Sequence, residues 1–284
     1  MILVTGATGK VGTELVRQLS ERGERVRVLT RDPAKVSHLG PDVEIAVGDL
    51  DQKDTLVGAV DGVRAIYLIS AATQIPDVLE MAEKAGVKLV VRQSTMEAGD
   101  MPPLGPGKWH RAAEVLIEKS GLSWTHLRPT MMITNTVDWW ADDIRKKKAV
   151  SFPGGAGRVS AVDPRDIASV ARVVLTESGH EGKAYDVTGP ELLTVPDMVG
   201  ILSIALGETI DYIDVPEKQF GDWMLDRGFP QPLVEGLLET LTALRADRFA
   251  RVADTVERLT GAKPGSYEAW CRENTSLLSG LLSA

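Results

Sequence analysis

The sequence predicts an α/β fold: a doubly wound parallel sheet with helices on both faces, and a smaller, mainly helical lobe at the C-terminal end. Three observations carry that expectation. Short, almost wholly apolar runs alternate with segments of helical period through the first half of the chain, as strands buried on both faces do beside the helices that cover them. A glycine-rich turn separates the first apolar run from the first helical segment. After residue 130 the alternation loosens and helical periodicity takes over.

The first strand is MILVT, residues 1–5. Beyond the turn, Val11, Leu15, Val16 and Leu19 recur at helical spacing and Gly23 ends the segment. Further strands are expected at 25–30, 43–47, 65–69, 87–91 and 124–127, and helices over 54–60, 75–85 and 110–119. Residues 163–176 read as a helix with Ile167, Val170, Ala171, Val174 and Leu175 on one side, and 183–187 as a strand returning to the sheet. A helix over 195–206 has Thr194 as its cap, Pro196 in its first turn and Gly207 just past its end. Val234, Leu237, Leu238 and Leu241 share one later helical face, and Phe249, Val252, Val256 and Leu259 another. The run PGGAG at 153–157 reads as a hairpin turn. These elements give a first domain over 1–150, with 163–188 returning to it, and a substrate-covering lobe over 189–284.

Composition narrows the function. The 284 residues are 43% hydrophobic and 25% charged, enough to bury a core without staples and unlike a disordered or collagen-like chain. Thirty-two Lys and Arg against forty Asp and Glu leave a net charge of −8. Such an acidic surface repels phosphate backbones, so no nucleic-acid partner is expected. No run reaches the roughly 18 apolar residues of a spanning helix, so no membrane partner is expected either. The single cysteine, Cys271, excludes an internal disulfide and fits a reducing, cytoplasmic setting. Whether the chain forms a homo-oligomer is left open.

Residues 5–12, TGATGKVG, lie between the first strand and the first helix. Glycines at 6, 9 and 12 permit a tight turn and a close backbone approach, and the helix N-terminus offers unpaired amides to a diphosphate. We read Gly6, Thr8, Gly9, Lys10, Val11 and Gly12 as a dinucleotide site on that context. At the end of the second strand stand Thr30, Arg31 and Asp32, eighteen to twenty residues beyond Gly12. An acidic residue there suits the ribose of NAD, whereas an arginine fork suits the 2′-phosphate of NADP. Arg31, with Lys35 nearby, favours NADP(H), and Asp32 keeps NAD(H) open. Asp49 and Leu50 after the third strand, Ser70 and Ala71 after the fourth and Pro129 after the sixth complete the expected cofactor edge.

TGATGKVG, Thr30–Pro33 (TRDP), the GDL at 48–50, the GLSWT at 121–125 before Leu127-Arg128-Pro129, and Asp163 with Asp166-Ile167-Ala168 together resemble the NmrA-like branch of the atypical short-chain dehydrogenase/reductases. The resemblance spans nearly the whole chain. It implies a Rossmann-type fold, NAD(P) binding and a C-terminal lobe over the nicotinamide. The branch includes reductases of quinones and triphenylmethane dyes, and also proteins that bind the dinucleotide and regulate a partner without turnover. The tyrosine–lysine pair that many members of the wider superfamily use is absent: Tyr67, Tyr185, Tyr212 and Tyr267 are followed four residues on by Ala71, Gly189, Pro216 and Cys271.

Two catalytic candidates remain. Ser94, after the fifth strand, matches the serine that polarises a substrate oxygen in the superfamily, and would equally serve as a strand-end residue. His110 reads first as a helix-start partner of Glu114, and second as a proton donor, since imidazole titrates nearest neutrality. Without a tyrosine acid, a simple ketone is a poor substrate, because its reduction leaves an alkoxide. A quinone leaves a phenolate-like oxygen with a pKa of about 10, and a cationic dye is merely neutralised. The expected substrate is therefore a quinone-like or conjugated aromatic small molecule, walled by Met131, Met132, Trp139, Trp140 and Trp223. The histidines are scattered and no metal-ligand spacing emerges. A cofactor sensor, or a biosynthetic enzyme with a structural cofactor, is the alternative.

Overall fold

The computed structural model describes residues 1–280. Seven strands form one sheet: β1 (Ile2–Val4), β2 (Val26–Thr30), β3 (Glu44–Val47), β4 (Ala65–Leu68), β5 (Leu89–Gln93), β6 (Ser123–Pro129) and, late in the chain, Lys183–Val187. Their spatial order is β3-β2-β1-β4-β5-β6 with the late strand outside β6, and every pairing is parallel. Strand order reverses between β1 and β4, so the loops after these two strands flank the crevice where such sheets bind ligands. This is the doubly wound sheet that the apolar runs predict.

Helices α1 (Lys10–Glu21), α2 (Leu56–Val60), α3 (Ile75–Lys84) and α4 (Gly107–Glu118) connect the first strands. After β6 the chain runs through α5 (Thr134–Lys147), the short strands β7 (Ala149–Ser151) and β8 (Arg158–Val159), and α6 (Pro164–Thr176) before the late strand, β9. The remaining elements are β10 (Leu193–Thr194), α7 (Val195–Leu206), β11 (Asp211–Ile213), α8 (Glu217–Asp226), α9 (Gln231–Arg245), α10 (Thr255–Thr260), α11 (Tyr267–Glu273) and α12 (Thr275–Ser279). Among the described residues no helix is long and apolar enough to cross a membrane.

Local chemistry accounts for the helix ends. The Asp163 carboxylate accepts from Arg165 N at 2.7 Å and Pro164 opens α6. Thr194 and Asp197 form a reciprocal capping box on α7, and Gly207, at φ +66°, ends it in the left-handed region. Three apolar cores result. Leu15, Val16 and Leu19 of α1 and Val170, Ala171 and Val174 of α6 cover one sheet face; Leu56, Val78, Leu79 and Ile117 cover the other. A third core joins Ile133, Trp140, Ile144, Val150 and Phe152 to Met198, Leu202, Leu241, Tyr267 and Trp270. The 131–161 segment therefore packs with the later helices as well as following the sheet.

Two expectations fail. The 153–157 loop is not a hairpin turn, because β7 pairs with β11 and β8 with β10 rather than with each other. Its glycines answer to close packing: a Cβ on Gly157 would lie 2.0 Å from the carbonyl oxygen of Leu244 in α9. Nor do Phe249, Val252, Val256 and Leu259 share one helix. Only 255–260 is helical; Phe249 is buried in the third core, Val256 in the first, and Val252 is exposed. Residues 249–254 are an irregular crossing between two cores, whose spacing imitates a helical stripe.

Candidate active site

The loop after β1 is built by its glycines. Gly6 takes φ +66°, Gly9 N donates to Gly6 O at 2.9 Å, and Thr13 Oγ1 fastens the helix to Ala7 O at 2.8 Å. Gly12 is the tightest position: a Cβ there would lie 2.2 Å from Gly6 O and 2.9 Å from Ala7 Cα. Helix α1 starts at Gly9 with no side-chain cap and no acidic residue in its first turn, so its opening amides lack a protein acceptor. A close-packed glycine turn ahead of uncapped amides fits a dinucleotide diphosphate. Gly6, Gly9, Lys10, Val11 and Gly12, with Thr8, would hold it.

The neighbouring strand ends supply the rest of the edge. Arg31 is 80% exposed, its guanidinium 3.9 Å from the Asp49 carboxylate. Asp32 turns away to cap the next turn, Oδ1 accepting from Ala34 N at 3.0 Å, which leaves Arg31 as the group free to meet a phosphate. Lys35, in the same turn (Pro33–Leu39), is exposed. Asp49 Oδ1 accepts from Asp51 N at 3.1 Å, beside half-buried Leu50. Ser70 is clamped by Arg92, whose Nη1 donates to Ser70 O and Oγ, both at 3.2 Å, and Ala71 N donates to Gln74 Oε1 at 2.9 Å.

Beside this edge lies a cavity of about 930 Å³. Ser94, His110, Pro129, Met131, Met132, Trp139, Trp140 and Trp223 all line it, so the structure gathers both catalytic candidates and all five expected wall residues around one space. The glycine loop, Arg31, Lys35, Asp49, Leu50, Ser70 and Ala71 do not line it. Lys10 is one link between the two groups, its Nζ meeting the carboxylate of the lining residue Asp138 at 2.5 Å.

Sequence reasoning missed much of the wall. Met96, Phe152, Phe220, Phe249 and Arg227 also line the cavity. Trp139 stacks on Phe152 at 6.0 Å, Phe152 meets Phe220 edge-on at 5.4 Å, and Phe220 stacks on Trp223 at 5.5 Å. The Arg227 guanidinium lies 3.7 Å over the Trp223 ring. Glu97 is another missed lining group; burial raises its carboxyl above the ordinary range despite the Thr95 hydroxyl bonded to it. These residues sit on irregular segments and late helices, where no periodic signal marks them.

Buried charge surrounds the two candidates. Ser94 is 3% exposed, and its hydroxyl helps to lower the neighbouring Glu114 carboxyl. Glu114, fully buried, accepts from Arg128 Nε at 2.9 Å and Nη2 at 2.7 Å, and from Arg111 Nη1 at 3.0 Å. Burial opposes its charge, yet the Arg128 fork carries the carboxyl down to about 2. His110 is lowered to about 4, first by burial and then by Arg92. His126, stacked on Trp124 at 4.4 Å, is lowered to about 4 by burial. Glu114, Glu118 and His126 place ligand-type atoms within 4.8 Å of one another, but Arg111 already bridges both carboxylates, so the cationic position is filled by the protein itself.

Comparison with known proteins follows the same lines. A family described as NAD(P)H-binding matches residues 6–178. The chain is 34% identical to an NAD(P)H azoreductase of Xenophilus azovorans, over 97% of this chain and 98% of that one. Among solved structures, an NADPH-dependent quinone oxidoreductase of Escherichia coli in complex with NADPH superposes with a TM-score of 0.85 at 26% identity, covering 98% and 99% of the two chains. A triphenylmethane reductase of Citrobacter complexed with NADP(H) gives 0.81 at 25% identity, covering 96% and 99%. NmrA, a negative transcriptional regulator, shares the fold at a TM-score of 0.78 and 15% identity.

Proposed function

The chain belongs to the NAD(P)H-binding family matched over residues 6–178, and from that premise we propose that it is an NADPH-dependent oxidoreductase acting on quinone-like or conjugated aromatic small molecules. The observation that carries this reading is the aromatic and methionine-lined cavity bordered by Ser94, His110 and Pro129 at the carboxyl end of the sheet. The names of its relatives, an azoreductase, a quinone oxidoreductase and a triphenylmethane reductase, point the same way.

When bound, NADPH supplies a hydride at its nicotinamide ring. The chain's own residues do the remaining work. Gly6, Thr8, Gly9, Lys10, Val11 and Gly12 hold the diphosphate, and Arg31 with Lys35 selects the 2′-phosphate. Asp49, Leu50, Ser70, Ala71 and Pro129 border the rest of the cofactor. Met131, Met132, Trp139, Trp140 and Trp223 hold a flat acceptor, with Phe152 and Phe220 extending the stacking surface. The described part of the C-terminal lobe, 189–280, covers it and, with the 131–161 segment, excludes water. Ser94 Oγ and the His110 ring donate hydrogen bonds to the acceptor oxygen as its charge rises. A conjugated acceptor spreads that charge, so the chemistry needs no tyrosine acid.

The test is NADPH oxidation against a panel of quinones, azo compounds and cationic dyes. Turnover restricted to conjugated acceptors is expected. Tight NADPH binding with no turnover on any of them would replace the reductase by a cofactor sensor.

A further inference from the structure

His110 and Arg92 come from different elements, α4 and β5, and meet beside the cavity. Arg92 is 2% exposed. Two of its nitrogens hold Ser70 O at 3.2 Å, and Nη2 lies 3.5 Å from Nδ1 of His110. A guanidinium only donates. That contact makes Nδ1 the acceptor nitrogen of the ring and puts the imidazole proton on Nε2, which meets no hydrogen-bond partner among the described residues.

We propose that Arg92 is a positioning residue that locks His110 as the neutral tautomer with its proton on Nε2, so that His110 meets the substrate as a hydrogen-bond donor that keeps its proton. This deepens the reductase reading and rests on it for the word substrate, but the tautomer itself can be measured without any substrate.

The charges around the ring support the lock. A second proton would have to go on Nδ1, directly against the guanidinium. Glu114, one turn along α4, is the neighbouring anion, but Arg128 and Arg111 already occupy its carboxylate. Burial acts in the same direction as Arg92, and the ring titrates only near 4. A ring held neutral across the physiological range is a poor acid and a good fixed dipole. That is what a quinone oxygen requires, since conjugation spreads the charge it gains.

The experiment is nitrogen-15 NMR of the histidine rings in the full-length protein, with His110 assigned by its loss in His110→Asn. We expect long-range proton couplings of the Nε2–H tautomer and no titration from pH 8 down to about pH 5. Arg92→Met should mix the tautomers and raise the titration part of the way back, burial still holding it below the ordinary value; Arg92→Lys should restore part of the lock. With a quinone, kcat/KM of the wild type should carry no His110 step over that range, and Arg92→Met should acquire one. His110→Ala should lose on the order of a hundredfold in kcat, as for a missing oxyanion donor, with His110→Gln retaining more. An Nδ1–H tautomer, or a wild-type ring titrating in its ordinary range, overturns the lock even if Arg92→Met does not fold. Full activity in His110→Ala overturns the donor role. Absence of turnover in the wild type would instead sink the reductase reading, and the spectra would still decide the tautomer.

Discussion

Lys10 and Asp138 form an ion pair 2.5 Å long between the first turn of α1, at the glycine loop, and α5, which carries Trp139 and Trp140. Lys10 Nζ also reaches Thr134 O at 3.4 Å. The pair is the direct polar link from the cofactor loop to the cavity wall. Both side chains are well exposed, at 42% and 59%, so its contribution to stability is small. Asp138→Asn should leave the melting temperature nearly unchanged and free Lys10 for the diphosphate. NADPH should then bind a few-fold tighter, with a steeper salt dependence; weaker binding in calorimetry would contradict the link.

Arg31 is the exposed cation at the end of β2, and Asp32 is committed to its turn. Arg31→Ala should weaken NADPH on the order of ten- to a hundredfold, the scale of a charge-assisted fork contact, and change NADH little. Dissociation constants for both nucleotides decide it, and equal losses would remove the 2′-phosphate assignment.

Gly12 and Gly58 make opposite predictions from one substitution. Gly12→Ala drives a Cβ into Gly6 O at 2.2 Å and should abolish measurable NADPH binding. Gly58, in α2, has nothing within 4 Å of the added carbon. Gly58→Ala should therefore raise stability by about 0.5–1 kcal/mol, the helix preference of alanine, and leave NADPH affinity unchanged. Denaturant unfolding and nucleotide titration read both.

Much of the frame is legible in the sequence because its signals are local. The apolar runs at 1–5 and 65–69, the TGATGKVG turn and the Thr194–Gly207 helix with its caps each carry their reason within a dozen residues. The cavity does not. Phe152, Phe220 and Phe249 join Trp139 only after α5, α8 and the crossing before α10 pack together. The lowered titration of His110 comes from its burial and then from Arg92, eighteen residues earlier and on another element. The stripe from Phe249 to Leu259 misleads for the same reason, since two separate cores produce what one helix would.

Acid should unfold the protein in two stages. His110 and His126 are both lowered from 6.5 to about 4, so the unfolded chain takes up protons that the folded one refuses, and stability falls as pH drops from 6.5 toward 4. Glu114 is lowered from 4.5 to about 2; its contribution is complete above pH 4.5 and is lost as pH falls through 2. His126→Gln should flatten the first stage. Glu114→Ala, which leaves Arg128 without its buried partner, should cost about 3–5 kcal/mol at neutral pH. Urea unfolding across pH 3–8, roughly one melt per unit, checks both; an unchanged first stage in His126→Gln would contradict the burial argument.

The most direct measurement is a single turnover of NADPH, deuterated at the transferable position of its nicotinamide, with a cationic triarylmethane dye. The expected product is colourless and carries the deuterium on its central carbon, formed at the rate at which NADPH is consumed. A dye left coloured, or a reduced product without the label, would contradict hydride delivery within the Trp139–Trp223 cavity.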